Sequence, residues 1–261
     1  MNVKRNLTIA TIALSAIFLG ACAPTVTPAS EPIAPVASAE VEEPVEAVEI
    51  AEEPVADIME VDENDYLSVD ADAMATAIGV NESGLISEAE GAGLSFMREE
   101  EKLALDVYLT LYDMWGVNIF KNIAASEQTH TDAVNSLLSL YGLPDPAVGN
   151  EVGIFQNDDL QALYDQLIEA GSVSLAEAFK VGIAIEEIDI IDLEEYLAET
   201  DDANIIMVYD NLLFGSENHL RAFVAQYESQ TGETFQPQYM TQEAYDAVMS
   251  ASMGRGGHGK Q

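Results

Sequence analysis

The chain has one cysteine, Cys22, so no disulfide can form within it. Basic residues are scarce: 9 Lys+Arg stand against 47 Asp+Glu, a formal net charge of −38. That balance argues against a nucleic acid partner, whose backbone needs a basic surface. It reads first as a solvated, self-repelling acidic surface. Histidine is rarer still, with 3 residues in 261. Beyond the N-terminus no stretch approaches the roughly 20 apolar residues a membrane span requires. No segment alternates with period two for long enough to suggest a sheet. Repeats at a solenoid period are absent. There is neither a nucleophile elbow nor a His-Glu-x-x-His zinc helix, which disfavours a hydrolase.

What is present begins with an export signal. Lys4 and Arg5 precede the apolar run ATIALSAIFLG, which is too short for an ordinary spanning helix. It ends in Leu19-Gly20-Ala21-Cys22, which resembles the lipobox of bacterial lipoproteins. Residues 1–21 are expected as a lipoprotein signal peptide, with Cys22 lipidated and the protein anchored to the cell envelope without a transmembrane helix. Residues 22–85 are rich in Pro, Ala, Val and Glu and are expected as a disordered tether. Within that span YLSVDADAMATAIGV can also form a short docking helix. The Gly-rich tail 251–261 carries His258, which reads as an idle tail residue.

Residues 86–250 read as all-α. Ser95 is the expected cap of a helix running to Trp115, which Gly116 ends. Asn118 caps a second, to Tyr141. A short helix is expected at about Asp158 to Ala170. Ser174-Leu-Ala-Glu177 is a capping box that opens a long helix to about Glu199. Thr200 or Asp201 caps the next, to about Ser229, and a last short helix begins at Thr241. Short links make each consecutive pair of long helices an antiparallel hairpin. The long connection between the pairs holds the short helix. The prediction is a four-helix bundle with one long crossover, the arrangement of ferritin-like folds.

The buried seams of these helices are interrupted. The second helix gives Phe120, Ile123, Glu127, His130, Val134, Leu137 and Tyr141 at coiled-coil spacing. It is apolar at both ends and polar only at Glu127 and His130. A buried unpaired charge costs several kcal/mol, and residues three apart share a helix face, so this pair can converge on one metal ion. Glu101 is the acid on the first seam, between Met97 and Ala104. On the third seam Glu186 and Asp189 fall between Gly182 and Leu193. His219 interrupts the fourth, one turn after Ser216. With a rise of ~1.5 Å per residue these groups lie at similar distances from their links and can meet in one layer. A structural polar network that fixes bundle register is the competing explanation. Tyr108 and Trp115 on the first seam read first as packed core aromatics.

The stretches MREEEKLALDVYLTLYDMWG, FKNIAASEQTHTDAVNSLLSLYGLPDP, IEEIDIIDLEEYLAETD and NLLFGSENHLRAF resemble a bacterial family known only as domain of unknown function 2202. The resemblance implies membership of the ferritin and rubrerythrin superfamily, whose members hold two irons between four helices. Glu101-x-x-Ala104-x-x-x-Tyr108 is similar to the rubrerythrin first-helix pattern, and Glu127-Gln-Thr-His130 to the second-helix ligand pair. The fourth helix departs from the pattern: Ser216 stands where a Glu is usual, followed by Glu217-Asn218-His219. Asp189 can replace that carboxylate. Glu217 would have to reach round from off the seam, and Glu187 is the neighbour of Glu186 at a poorer helical phase.

The expected ligands are therefore Glu101, Glu127, His130, Glu186, Asp189 and His219, with Glu187, Ser216 and Glu217 ranked lower. Oxygen-rich ligands with two imidazoles suit one or two Fe or Mn ions, with Zn as a third choice. Three functions follow. One is a di-metal oxidase or peroxidase at the envelope for iron or peroxide detoxification. A second is a metal-buffering module without turnover. The third is a metal-free helical lipoprotein that binds another protein. Expected partners are metal ions, a membrane through the Cys22 lipid, and a second copy in a homodimer.

Overall fold

A computed structural model of the chain describes residues 59–61, 67–69, 71–78 and 85–251. The signal segment, Cys22, the whole of residues 23–58 and His258 lie outside them. The described residues form an all-α bundle with one long crossover, flanked by a two-stranded hairpin of three-residue strands.

Helix α2, Glu88–Trp115, starts earlier than Ser95. Ser87 closes the capping box instead: its Oγ accepts the Glu90 N–H at 3.1 Å, and Glu90 Oε2 accepts the Ser87 N–H at 2.7 Å. Ser95 lies inside the helix, where its hydroxyl donates back to the Gly91 carbonyl at 3.0 Å. Gly116 ends α2 in the left-handed region, at φ 67°. Helix α3, Asn118–Leu140, follows with no side-chain cap; Val117, not Asn118, is its extended lead-in residue.

The second hairpin pairs α5, Leu175–Glu199, with α6, Ala203–Thr231. Ser174 caps α5 by accepting the Glu177 N–H at 3.2 Å. Asp202, rather than Thr200 or Asp201, caps α6, accepting from Asn204 at 2.9 Å and Ile205 at 3.1 Å. A carboxylate at that point also faces the positive end of the helix dipole. Helix α7, Gln242–Ser250, is capped by Thr241.

Between the hairpins the chain carries α4, Asp158–Gly171, which packs on α2 and α5. The Trp115 indole N–H donates to the Gly171 carbonyl at 3.0 Å, so Trp115 anchors the crossover. Buried acids of α2 hold the rest of it. Glu99 accepts the backbone N–H groups of Gln156 and Asn157, and Asp106 accepts that of Gly153 at 2.8 Å.

The expected tether spans 22–85, yet its described residues carry local structure. Strands β1, Met59–Val61, and β2, Leu67–Val69, pair antiparallel, and α1, Ala71–Ala77, follows. Strand β2 touches α3 and α6, and α1 touches α3. Met74 is buried, which gives this short helix an apolar anchor on the bundle. No described helix is long and apolar enough to cross a membrane.

The four long helices bury the seams that their spacing predicts. Met97, Tyr108, Phe120, Ile123, Phe179, Leu212 and Phe223 are all buried. Each fully buried apolar side chain of this size contributes about 1.5–3 kcal/mol. Phe223 packs on Tyr108 and Phe120, with ring centroids 5.1 and 5.6 Å apart. Gly182 makes room for it: a Cβ there would sit 2.8 Å from the Phe223 ring. This aromatic cluster closes one side of the polar layer.

A candidate metal centre

Glu101 of α2, Glu127 and His130 of α3, Glu186 of α5 and His219 of α6 meet inside the bundle. All five are buried. Their ligand atoms fall into two groups of three that share one residue: Glu101, Glu127 and His130, and Glu127, Glu186 and His219.

Glu127 spans the two groups. Its Oε2 lies 2.9 Å from His130 Nδ1, and its Oε1 lies 2.8 Å from His219 Nδ1. Glu101 Oε2 lies 3.4 Å from His130 Nδ1, and Glu186 Oε2 lies 3.5 Å from His219 Nδ1. The two rings are 5.5 Å apart and inclined at 25°. Each half thus has one imidazole nitrogen between two carboxylate oxygens.

These contacts are close without being aligned as hydrogen bonds. His130 Nδ1 and Nε2, His219 Nδ1, Glu101 Oε1, Glu127 Oε1 and Asp189 Oδ1 are buried with no hydrogen-bond partner. Leaving a buried polar atom unsatisfied costs about 1–3 kcal/mol. Orphaned donors and acceptors gathered at one place, with lone pairs converging, fit residues arranged around cations. The donor set of carboxylates and imidazoles suits Fe, Mn or Zn.

The protonation states show how crowded the charge is. Burial pushes Glu101 up to about 7, against the pull of His130. Burial also raises Glu186, and the nearby Glu127 charge adds to that. Glu127 behaves oppositely: burial works to raise it, but His219 and His130 outweigh burial and hold it below the carboxylate range. Burial lowers His219, yet Glu127 and Glu186 carry it up to about 9. His130 is raised in the same way by Glu127 and Glu101. These shifts favour protonated imidazoles beside the carboxylates, a positive charge that a bound cation would replace.

Neighbouring side chains orient this set. The Tyr108 hydroxyl donates to Glu186 Oε1, leaving Oε2 for His219. His219 Nε2 lies 3.0 Å from Ser126 Oγ. His130 packs against Gly215, where a Cβ would sit 2.6 Å from Nε2. Ser126 and Gly215 have no part in the seam pattern that exposes the ligands.

The remaining expected ligands lie elsewhere or at the margin. Asp189 is buried beside the layer but belongs to neither group of three; its Oδ2 accepts the Ser216 hydroxyl at 2.5 Å. Burial, with Glu101 and Glu100 close by, holds Asp189 well above the usual range. Ser216 also donates toward the Leu212 carbonyl, as helical serines do. Glu187 is not brought into the layer: its Oε2 accepts the N–H groups of Gln238 at 2.9 Å and Tyr239 at 2.6 Å. Consecutive residues on a helix point about 100° apart, which separates Glu187 from Glu186. Glu217 also faces away, 3.6 Å from Arg221.

The fold and the cluster together define an all-α bundle with a buried carboxylate–histidine site between its four long helices. The chain belongs to the family described as an uncharacterized protein domain, DUF2202, which matches residues 90–252. It is 51% identical over 171 residues to the uncharacterized protein MJ0754 of Methanocaldococcus jannaschii, covering 66% of this chain and 92% of that protein. The crystal structure of that hypothetical protein, titled as from Methanococcus jannaschii, superposes with a TM-score of 0.65 at 48% identity, covering 67% of this chain and 100% of that one. That relative is archaeal, so a family confined to bacteria is not supported.

Proposed function

We propose that the chain is a ferritin-like metalloprotein whose layer holds two Fe or Mn ions, anchored to the cell envelope through a lipid on Cys22. The observation that carries this reading is the sharing of Glu127 between two buried groups of three, each with one carboxylate and one imidazole of its own. The bundle with a single long crossover is the arrangement in which ferritin-like proteins build such centres. Lipobox-like residues Leu19-Gly20-Ala21-Cys22 support the anchor.

In this reading Glu127 would be shared by the two ions, Glu101 and His130 would hold one, and Glu186 and His219 would hold the other. Tyr108 holds Glu186 by one oxygen so that the other faces the centre. Asp189 is held beside the layer by Ser216, and its unpartnered Oδ1 is the oxygen that could stand in for the missing fourth-helix carboxylate. Phe120, Phe223 and the seam residues above and below exclude water. Redox ions held there would supply one-electron chemistry toward dioxygen or peroxide, and the role that fits is iron or peroxide detoxification.

A metal-buffering role without turnover is the second reading. It is favoured by one observation: Asp189 spends an oxygen on Ser216 and stays outside both groups of three. The two are separated by loading the metal-free protein with Fe(II) under anaerobic conditions, then adding peroxide or dioxygen. Oxidation of bound iron faster than in a protein-free control, over repeated cycles, supports the enzyme. Bound iron that does not cycle supports the buffer, and no bound iron removes both.

A further inference from the structure

The two halves of the layer are held by different means. Both Ser126 and His219 are buried, and Ser126 Oγ lies 3.0 Å from His219 Nε2. Ser126 directly precedes Glu127 on α3, so one turn of helix carries both the shared carboxylate and the hydroxyl that meets the opposite ring. Only one proton arrangement serves a cation. With the proton on Nε2, the Ser126 oxygen accepts it, and the Nδ1 lone pair faces Glu127 and Glu186. With the proton on Nδ1 alone, the ring would present N–H to that position and could not ligate.

His130 has no comparable partner. Its Nε2 has none and lies against Gly215. Glu101 Oε1 is likewise unpartnered, whereas the matching oxygen of Glu186 takes the Tyr108 hydroxyl. One half is thus pre-set by hydrogen bonds to both of its own ligands, and the other is set by space alone. Pre-set ligands lose less freedom on binding and bind more tightly.

We propose that Ser126 is a positioning residue that keeps His219 in its Nε2–H form and makes the Glu127, Glu186 and His219 half the first of the two to take a divalent cation. This rests on the metal reading above. The test uses the full chain stripped of metal, titrated with Zn(II) by calorimetry. The same samples are followed by nitrogen-resolved NMR of the imidazoles, which only 3 histidines make simple to assign. Two steps of unequal affinity are expected. Ser126→Ala should weaken the tighter step by about 10–100-fold and spare the looser one. Ser126→Thr keeps the hydroxyl and should restore it, which a purely structural effect of truncation would not predict. A slowly exchanging His219 Nε2–H signal should appear in metal-free and Zn(II)-loaded wild type and be lost in Ser126→Ala.

Two steps that Ser126→Ala leaves unchanged, or weakens equally, overturn the proposal and leave the metal reading intact. A wild type that takes up no Zn(II) but shows the protected Nε2–H overturns the metal reading and the loading order together, while the positioning of His219 by Ser126 stands.

Discussion

The layer around Glu127 and the flanks of the bundle both bury carboxylates, but they treat them differently. On the flanks, Glu99, Asp106 and Glu187 accept backbone N–H groups of chain segments laid across the helices. Lys102 adds its ammonium to Asp106. Each of these acids has at least one oxygen met by donors fixed in the fold, though Glu187 Oε1 stays unpartnered, and each anchors a segment with no regular structure of its own. In the layer, Glu101, Glu127 and Glu186 instead face two imidazoles, with orphaned atoms among them. Burial of an acid is common to both regions. The partner it faces is what separates an anchor from a ligand.

The largest expected effect comes from the shared residues. Glu127→Ala combined with His130→Ala should abolish binding of both ions while circular dichroism still reports a helical fold. Unchanged metal stoichiometry in that double variant would make the layer another structural network, like the flanks. Removal of metal by a chelator should come next: at a hundredfold excess over Kd each bound ion stabilises the fold by about 2.7 kcal/mol. Thermal unfolding of loaded and stripped protein measures it, and identical midpoints would argue that no ion binds the folded state preferentially.

An anchor should answer in the opposite way. Glu187→Ala removes a charged acceptor from the turn at residues 238–240 and is expected to cost about 2–3 kcal/mol of stability. Its metal content should be unchanged. Lost metal without lost stability would move Glu187 into the layer. The smallest effect is expected at Glu217, which makes a single half-buried contact with Arg221 at 3.6 Å. Glu217→Gln should change stability by no more than about 0.5 kcal/mol and leave metal affinity untouched.

Much of this contrast was legible in the residue pattern. Coiled-coil spacing exposes Glu101, Glu127, His130, Glu186 and His219 as polar breaks in apolar stripes, because a helix repeats its buried face every three or four residues. Counting rise from each link puts them at one level, and the structure brings those five together. Helix starts were less legible. Ser95 looks like a cap, yet Ser87 with Glu90 is the stronger box, and several Ser, Thr and Asp residues near each start offer the same chemistry. Glu186 and Glu187 could be told apart by helical phase. The anchor role of Glu187 could not, since its partners are some 50 residues away in sequence. Ser126 was missed for the same reason: its partner on α6 is 93 residues distant. Contacts between distant helices depend on rotation about the helix axes, which periodicity does not fix.

The account stands most directly on one count, the metal content of the full chain purified without a tag and measured by elemental mass spectrometry. Two groups of three ligands sharing Glu127 predict two metal ions per chain, which the proposed function takes to be Fe or Mn. A chain that remains empty after anaerobic reconstitution with Fe(II) would contradict the metal centre and leave a helical protein whose buried acids and histidines only hold the bundle in register.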